Sequence, residues 1–323
     1  MPAEIPHPLV RRAAWATLGW SVAVIVYGAF VRATKSGNGC GDHWPACNGE
    51  VIPQSPTLKT IIEFAHRATS GIALILTVLL LTVALWKLPK GHVVRKGAFW
   101  SVFFMLMEAA VGAVLVKTGW VAMNESLGRA IFMAIHLANT FFLLAALTLT
   151  TVWVEGAPSL RLSGRGTAGM LVLGALFTVL VLGVSGAVTA LGDTLFPTPT
   201  LAEGLAKYHS PAAQILLPLR LLHPLVAIAA GVLTLAAGTS AFAKRADERT
   251  RRAGIFLAVV FVLQLCAGML NVSLQAPVWL QLVHLLVADL VWIGLVRLAA
   301  ATFADDAGTV AAPVVAPVVA AET

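Results

Sequence analysis

Eight apolar stretches dominate this chain: Ala13–Val31, Ile61–Leu85, Phe99–Val116, Ala130–Val154, Ala168–Leu191, Ala213–Ala236, Gly254–Val272 and Val278–Ala300. Helices of this length, at about 1.5 Å per residue, cross a hydrocarbon core roughly 30 Å thick. Lipid offers no partner to a backbone N–H or C=O, so runs like these must close their hydrogen bonds internally as helices. The expected fold class is therefore all-α and polytopic, with eight transmembrane helices. Only 11% of residues are charged, against about 25% in a soluble domain. The first run is full length and leads straight into a motif-rich loop, so a cleavable signal peptide is not expected.

Basic residues set the expected orientation. With the N-terminus inside, 14 of the 22 Lys and Arg residues fall on the inner side. The net charge of +7 then reads as topology. A nucleic-acid partner would need a basic soluble domain, which the chain lacks. The expected setting is the plasma membrane, with both termini cytoplasmic. The Ala-, Pro- and Val-rich end, residues 303–323, reads as a disordered cytoplasmic tail.

The second, fourth, sixth and eighth stretches each hold one histidine: His66, His136, His223 and His284. These stretches all start outside, and each imidazole lies roughly 8–15 Å down its helix at about 1.5 Å per residue. An ionisable residue at such depth is a functional candidate by default. One histidine on each of two facing helices can hold a flat metal ring edge-on, and haem iron accepts axial imidazole. The plainer reading is a hydrogen bond across a helix interface, but four histidines at matched depth disfavour it. A zinc site would need further ligands that nothing at this spacing supplies.

A weak internal repeat turns the four into two pairs. Gly28-Ala29 matches Gly186-Ala187, and His66 matches His223. Glu108 to Gly112 matches Gln264 to Gly268, and Ile135-His136-Leu137 matches Val283-His284-Leu285. Four spans per repeat keep both copies in one orientation, as parallel repeats. The expected domains are two pseudo-symmetric four-helix bundles, 11–155 and 166–302.

The halves differ where chemistry would be expected. Glu63 stands three residues before His66, and Arg220 three before His223. A cation suits a haem propionate through charge-assisted hydrogen bonds, so Arg220 fits a stably held haem. Arg32 and Arg67 are further candidates for a cofactor edge, with snorkelling the default for Arg32. Glu63 suggests proton handling or stabilisation of positive charge at a reacting centre. Glu108 against Gln264 repeats the contrast more weakly, with helix–helix hydrogen bonding as the equal alternative. Asp289, about 140° round its helix from His284, is poorly placed to orient that ring and calls for a partner on another helix. Cys40 and Cys47 lie in the first outer loop, where an oxidising compartment permits a disulfide. Cys266 reads as a small buried apolar residue.

Gly28-Ala-Phe-Val-Arg-Ala-Thr-Lys-Ser-Gly37, then Cys40, Trp44-Pro45, Cys47 and Gly49, then Glu63-Phe-Ala-His66-Arg67, resembles haem A synthase. The later histidines fit as well, and the resemblance spans residues 11 to 302. It implies an oxidoreductase that turns a ring methyl of haem O into a formyl group through a hydroxymethyl intermediate. It further implies bound haem b as an electron-transferring cofactor, held by His223 and His284 in the second half. His66 and His136 would flank the substrate iron, with Glu63 important for activity, and Cys40 and Cys47 would be the outer-loop pair. The sites would face the outer side. Many relatives carry Pro directly after the first loop cysteine, whereas this chain has Gly41.

The implied partners are haem O, the lipid bilayer, a haem O synthase and an electron donor the residues do not name. A homo-oligomer is compatible with such a chain. The alternative is a non-catalytic dihaem b-type cytochrome with bis-histidine ligation. It explains the four histidines but neither the Glu63–Arg220 contrast nor the first-loop motif.

Overall fold

A computed structural model describes residues 7–164, 166–244 and 247–305. The tail beyond residue 305 lies outside the described residues. Ten helices are present among them: α1 Pro8–Ala33, α2 Leu58–Lys87, α3 Val93–Lys117, α4 Leu127–Val154, α5 Gly166–Leu195, α6 Leu201–Lys207, α7 Pro211–Leu216, α8 Leu219–Lys244, α9 Glu248–Ser273 and α10 Val278–Thr302. No strand forms among the described residues, and eight segments are long and apolar enough to cross a membrane, with α7 and α8 together making the sixth. The chain is an all-α, multi-pass membrane protein.

The helices outrun the apolar stretches because polar residues close their ends. Thr57 and Ser126 cap α2 and α4 by accepting from the N–H groups of Thr60 and Arg129. Two loop histidines do the same work: His7 Nδ1 accepts from Leu9 N–H and His92 Nδ1 from Val94 N–H. The break between α7 and α8 falls at Leu217-Pro218, where proline withholds an N–H from the ladder. Phe303 is buried, and Arg161 N–H donates to its carbonyl while Asp305 N–H donates to Ser159. These first residues assigned to the tail are thus tied to the loop between the halves.

α1 packs on α2 and α4, and α3 packs between α2 and α4. α5 packs on α8 and α10, and α9 on α8 and α10. α4 and α10 touch each other, and each also touches α1 and α5. At their contact the Phe141 and Trp292 rings stack at 4.8 Å, and Trp292 Nε1 donates to the Phe141 carbonyl at 2.7 Å. Outward faces remain apolar: Phe177, Ile228 and Leu235 are each more than 60% exposed, as a lipid-facing surface requires and a soluble surface disfavours. Cys266 belongs to that face. It is exposed on α9 rather than buried, because lipid hides an apolar thiol as well as a protein core does.

Candidate functional site

The four histidines fall into two pairs in space. His66 on α2 and His136 on α4 lie within electrostatic reach of one another, and so do His223 on α8 and His284 on α10. Three of the rings lie against a glycine. A Cβ added at Gly28, Gly186 or Gly268 would sit 3.0, 2.8 or 3.1 Å from Cε1 of His66, His223 or His284. Gly112, the repeat counterpart of Gly268, has nothing within 4 Å of such a Cβ. The glycines allow an adjacent helix to approach the imidazole ring directly.

The second groups on the rings differ. Glu108 Oε2 on α3 lies 2.6 Å from His136 Nδ1. Its other oxygen accepts from Asn139 Nδ2 at 2.7 Å and Thr140 Oγ1 at 3.0 Å. Gln264, at the matching place, meets its ring through the opposite nitrogen, with Nε2 3.2 Å from His284 Nε2. His223 Nδ1 pairs with Ser185 Oγ at 3.1 Å. Nδ1 of His66, His136 and His284 are each buried without a well-formed hydrogen bond, that of His136 meeting Glu108 only as a close ion-pair contact.

Glu63 is buried, and both its oxygens are engaged. Oε2 accepts from the Cys40 N–H at 2.8 Å, and Oε1 pairs with Arg67 Nη2 at 2.5 Å. Arg67 Nη1 donates in turn to the carbonyls of His43 and Ala46, each at 2.6 Å. Together they clamp the first loop onto α2 one turn from His66. Cys40 and Cys47 form a disulfide inside that loop. Gly41 has φ +65°, a conformation closed to proline, whose ring holds φ near about −65°. A proline at this position could not form the turn that the loop makes here.

The arginines engage protein acceptors. Arg220 Nε pairs with Asp193 Oδ1 at 2.6 Å, and its other nitrogens donate to Phe196 O and Thr198 Oγ1. Arg32, from α1, reaches into the second half, donating to Ala190 O and Thr194 Oγ1 on α5 and to Gln281 Oε1 on α10. Arg129 is buried and donates to the carbonyls of Ala122 and Asn124. Arg32 lies within electrostatic reach of both Asp193 and Arg129. Sequence reasoning passed over Arg129, Asp193 and Ser185. A carboxylate two residues past the fifth apolar run, needing a cation, is the available signal for Asp193. Asp289 is fully buried, and neither oxygen has a partner among the described residues.

The fold and the site define a polytopic membrane protein whose paired intramembrane histidines suit ligation of a planar metal group. Residues 11–296 match the cytochrome oxidase assembly protein family, and the chain belongs to that family, which includes the haem A synthases. A Thermus thermophilus protein named protohaem IX farnesyltransferase is 50% identical over 286 residues, 88% of this chain but 47% of its own length. Haem A synthase of Exiguobacterium sibiricum is 32% identical over 169 residues, 51% of this chain and 53% of its own. That of Bacillus licheniformis is 37% identical over 139 residues, 42% of each. The chain thus spans about half the length of the curated relatives it matches.

Proposed function

We propose that this protein is a haem A synthase that oxidises a ring methyl of haem O to a formyl group, through a hydroxymethyl intermediate, with haem b as resident cofactor. The observation that carries the reading is the pairing of His66 with His136 and of His223 with His284, each pair with different neighbouring groups. The donor set fits haem: two pairs of imidazoles on facing helices, three of the rings against glycines. His223 and His284 would hold haem b, which when bound supplies one-electron transfer. His66 and His136 would flank the substrate.

Arg32, Arg129 and Arg220, with Asp193 among them, carry surplus positive charge at the disulfide end of the molecule. That charge suits the carboxylates on a haem edge. Glu63 and Arg67 hold the disulfide loop over the substrate side, and Glu63 is the group placed to handle a proton there. The disulfide end would face outward, with both termini inside. The relative of twice the length, named for farnesyl transfer to protohaem, fits a chain that consumes the farnesylated product. A haem O synthase is accordingly the proposed supplier, and an unidentified reductant the electron source.

The test supplies purified full-length protein with haem O, reductant and oxygen, and separates the extracted pigments. Hydroxylated haem and haem A are the expected products. Haem B and unchanged haem O alone would overturn the reading in favour of a plain dihaem cytochrome.

A further inference from the structure

We propose that Glu108 is a positioning residue that fixes the tautomer of His136 and strengthens it as a ligand, so that the two haem sites are electronically unequal. The inference rests on the reading that His136 serves the substrate haem. Nδ1 of His136 lies 2.6 Å from Glu108 Oε2 as a close ion-pair contact, and because a carboxylate only accepts, a hydrogen on Nδ1 is the arrangement that makes this contact favourable. Nε2 is then left with its lone pair free for a metal. A carboxylate behind a ligating histidine also raises the basicity of the ring.

Two features separate this from ordinary helix–helix bonding. Glu108 is itself held: Asn139 Nδ2 and Thr140 Oγ1 both reach Oε1, leaving Oε2 for the ring. Asn139 is further fixed by the Phe104 carbonyl at 2.9 Å. The other half then supplies the contrast. Gln264 is a neutral amide, and it meets Nε2 of His284, not Nδ1. The second site therefore has neither the charge nor the geometry to enrich its ligand. A more electron-rich ligand stabilises the oxidised iron, so the first site should have the lower reduction potential. That is the direction wanted where substrate iron must be driven to oxidising chemistry, as against simple electron relay.

The experiment loads full-length protein with haem O without oxygen and titrates both haems by optical spectroscopy and electron paramagnetic resonance. Glu108→Gln carries the side chain that the repeat already uses at the matching place. It should raise the potential of the haem lost in His136→Ala and leave the haem lost in His284→Ala unmoved. Asn139→Leu removes a donor from the carboxylate, which frees charge for the ring, and should shift the same potential downward. Opposite signs in the two variants are not expected of a merely structural contact. An unchanged potential in both, with haem bound, would overturn the proposal. A wild-type protein that takes up no haem sensitive to His136→Ala would remove the underlying reading as well, and the proposal with it.

Discussion

Arg32 donates through Nη1, at 2.7 Å, to the backbone carbonyl of Ala190, the residue that holds its own place in the second repeat. The offset of 158 residues that relates Gly28 to Gly186 relates these two as well. At such a contact between α1 and α5 two copies of one long cation would repel each other. Arg in one half and Ala in the other avoid that conflict and turn the position into a bond between the halves.

The Arg32 bridge should be measurable. Arg32→Met leaves Ala190 O, Thr194 Oγ1 and Gln281 Oε1 without this donor. A charge-assisted bond of this kind contributes about 2 kcal/mol, and denaturant unfolding in detergent should show a loss of that order. Arg32→Lys should recover only part, since one ammonium cannot reproduce the fork of a guanidinium. Full recovery by Lys would mean that charge alone matters there.

Glu63 and Arg67 join the disulfide loop to α2, so each has a structural consequence apart from chemistry. Arg67→Met removes the donor to His43 O and Ala46 O and leaves Glu63 buried with one partner. At about 1.5–3 kcal/mol for bonds to a charged group, limited proteolysis of the 34–57 loop should speed up by tenfold or more (roughly 1.4 kcal/mol per decade). On the proposed function, Glu63→Gln should keep a b-type spectrum but stop haem A formation. Normal product yield from that variant would confine Glu63 to loop anchoring.

The glycines beside the rings provide an internal control. Gly186→Ala and Gly268→Ala place a methyl 2.8 and 3.1 Å from an imidazole carbon, so the ring must turn. Overpacking of this kind costs about 1–3 kcal/mol, and on the proposed function the b-type spectrum should broaden or weaken. Gly112→Ala, in the corresponding place with open space around it, should leave the spectrum alone and stabilise α3 by up to about 1 kcal/mol. Equal spectral effects at Gly112 and Gly268 would contradict this account.

Hydropathy made the eight spans legible because lipid imposes one rule on every residue of a run. It missed the helix ends, since caps such as Thr57 and Ser126 are polar and belong to no apolar window. The histidine pairs were legible through the repeat, which supplied long-range information that spacing alone lacks. The partners of Arg32 were not, because Gln281 is 249 positions away and only tertiary packing brings them together. Glu108 was visible as an asymmetry, yet which ring nitrogen it met depended on how α3 and α4 pack.

Asp289 carries the last prediction. It lies 148 residues after Phe141, the offset that also separates His136 from His284, so one half has an aromatic ring where the other has a carboxyl. The carboxyl is fully buried and has no hydrogen-bond partner among the described residues. An unpaired polar group in such a place costs about 1–3 kcal/mol by mutational measure. Asp289→Leu, apolar and branched in the same way at Cγ, should therefore raise the unfolding midpoint. Asp289→Asn keeps the polarity and should not. If Leu destabilises the protein instead, the carboxyl has a partner in the working state, and the haem spectra of the two variants would show in which half that partner lies.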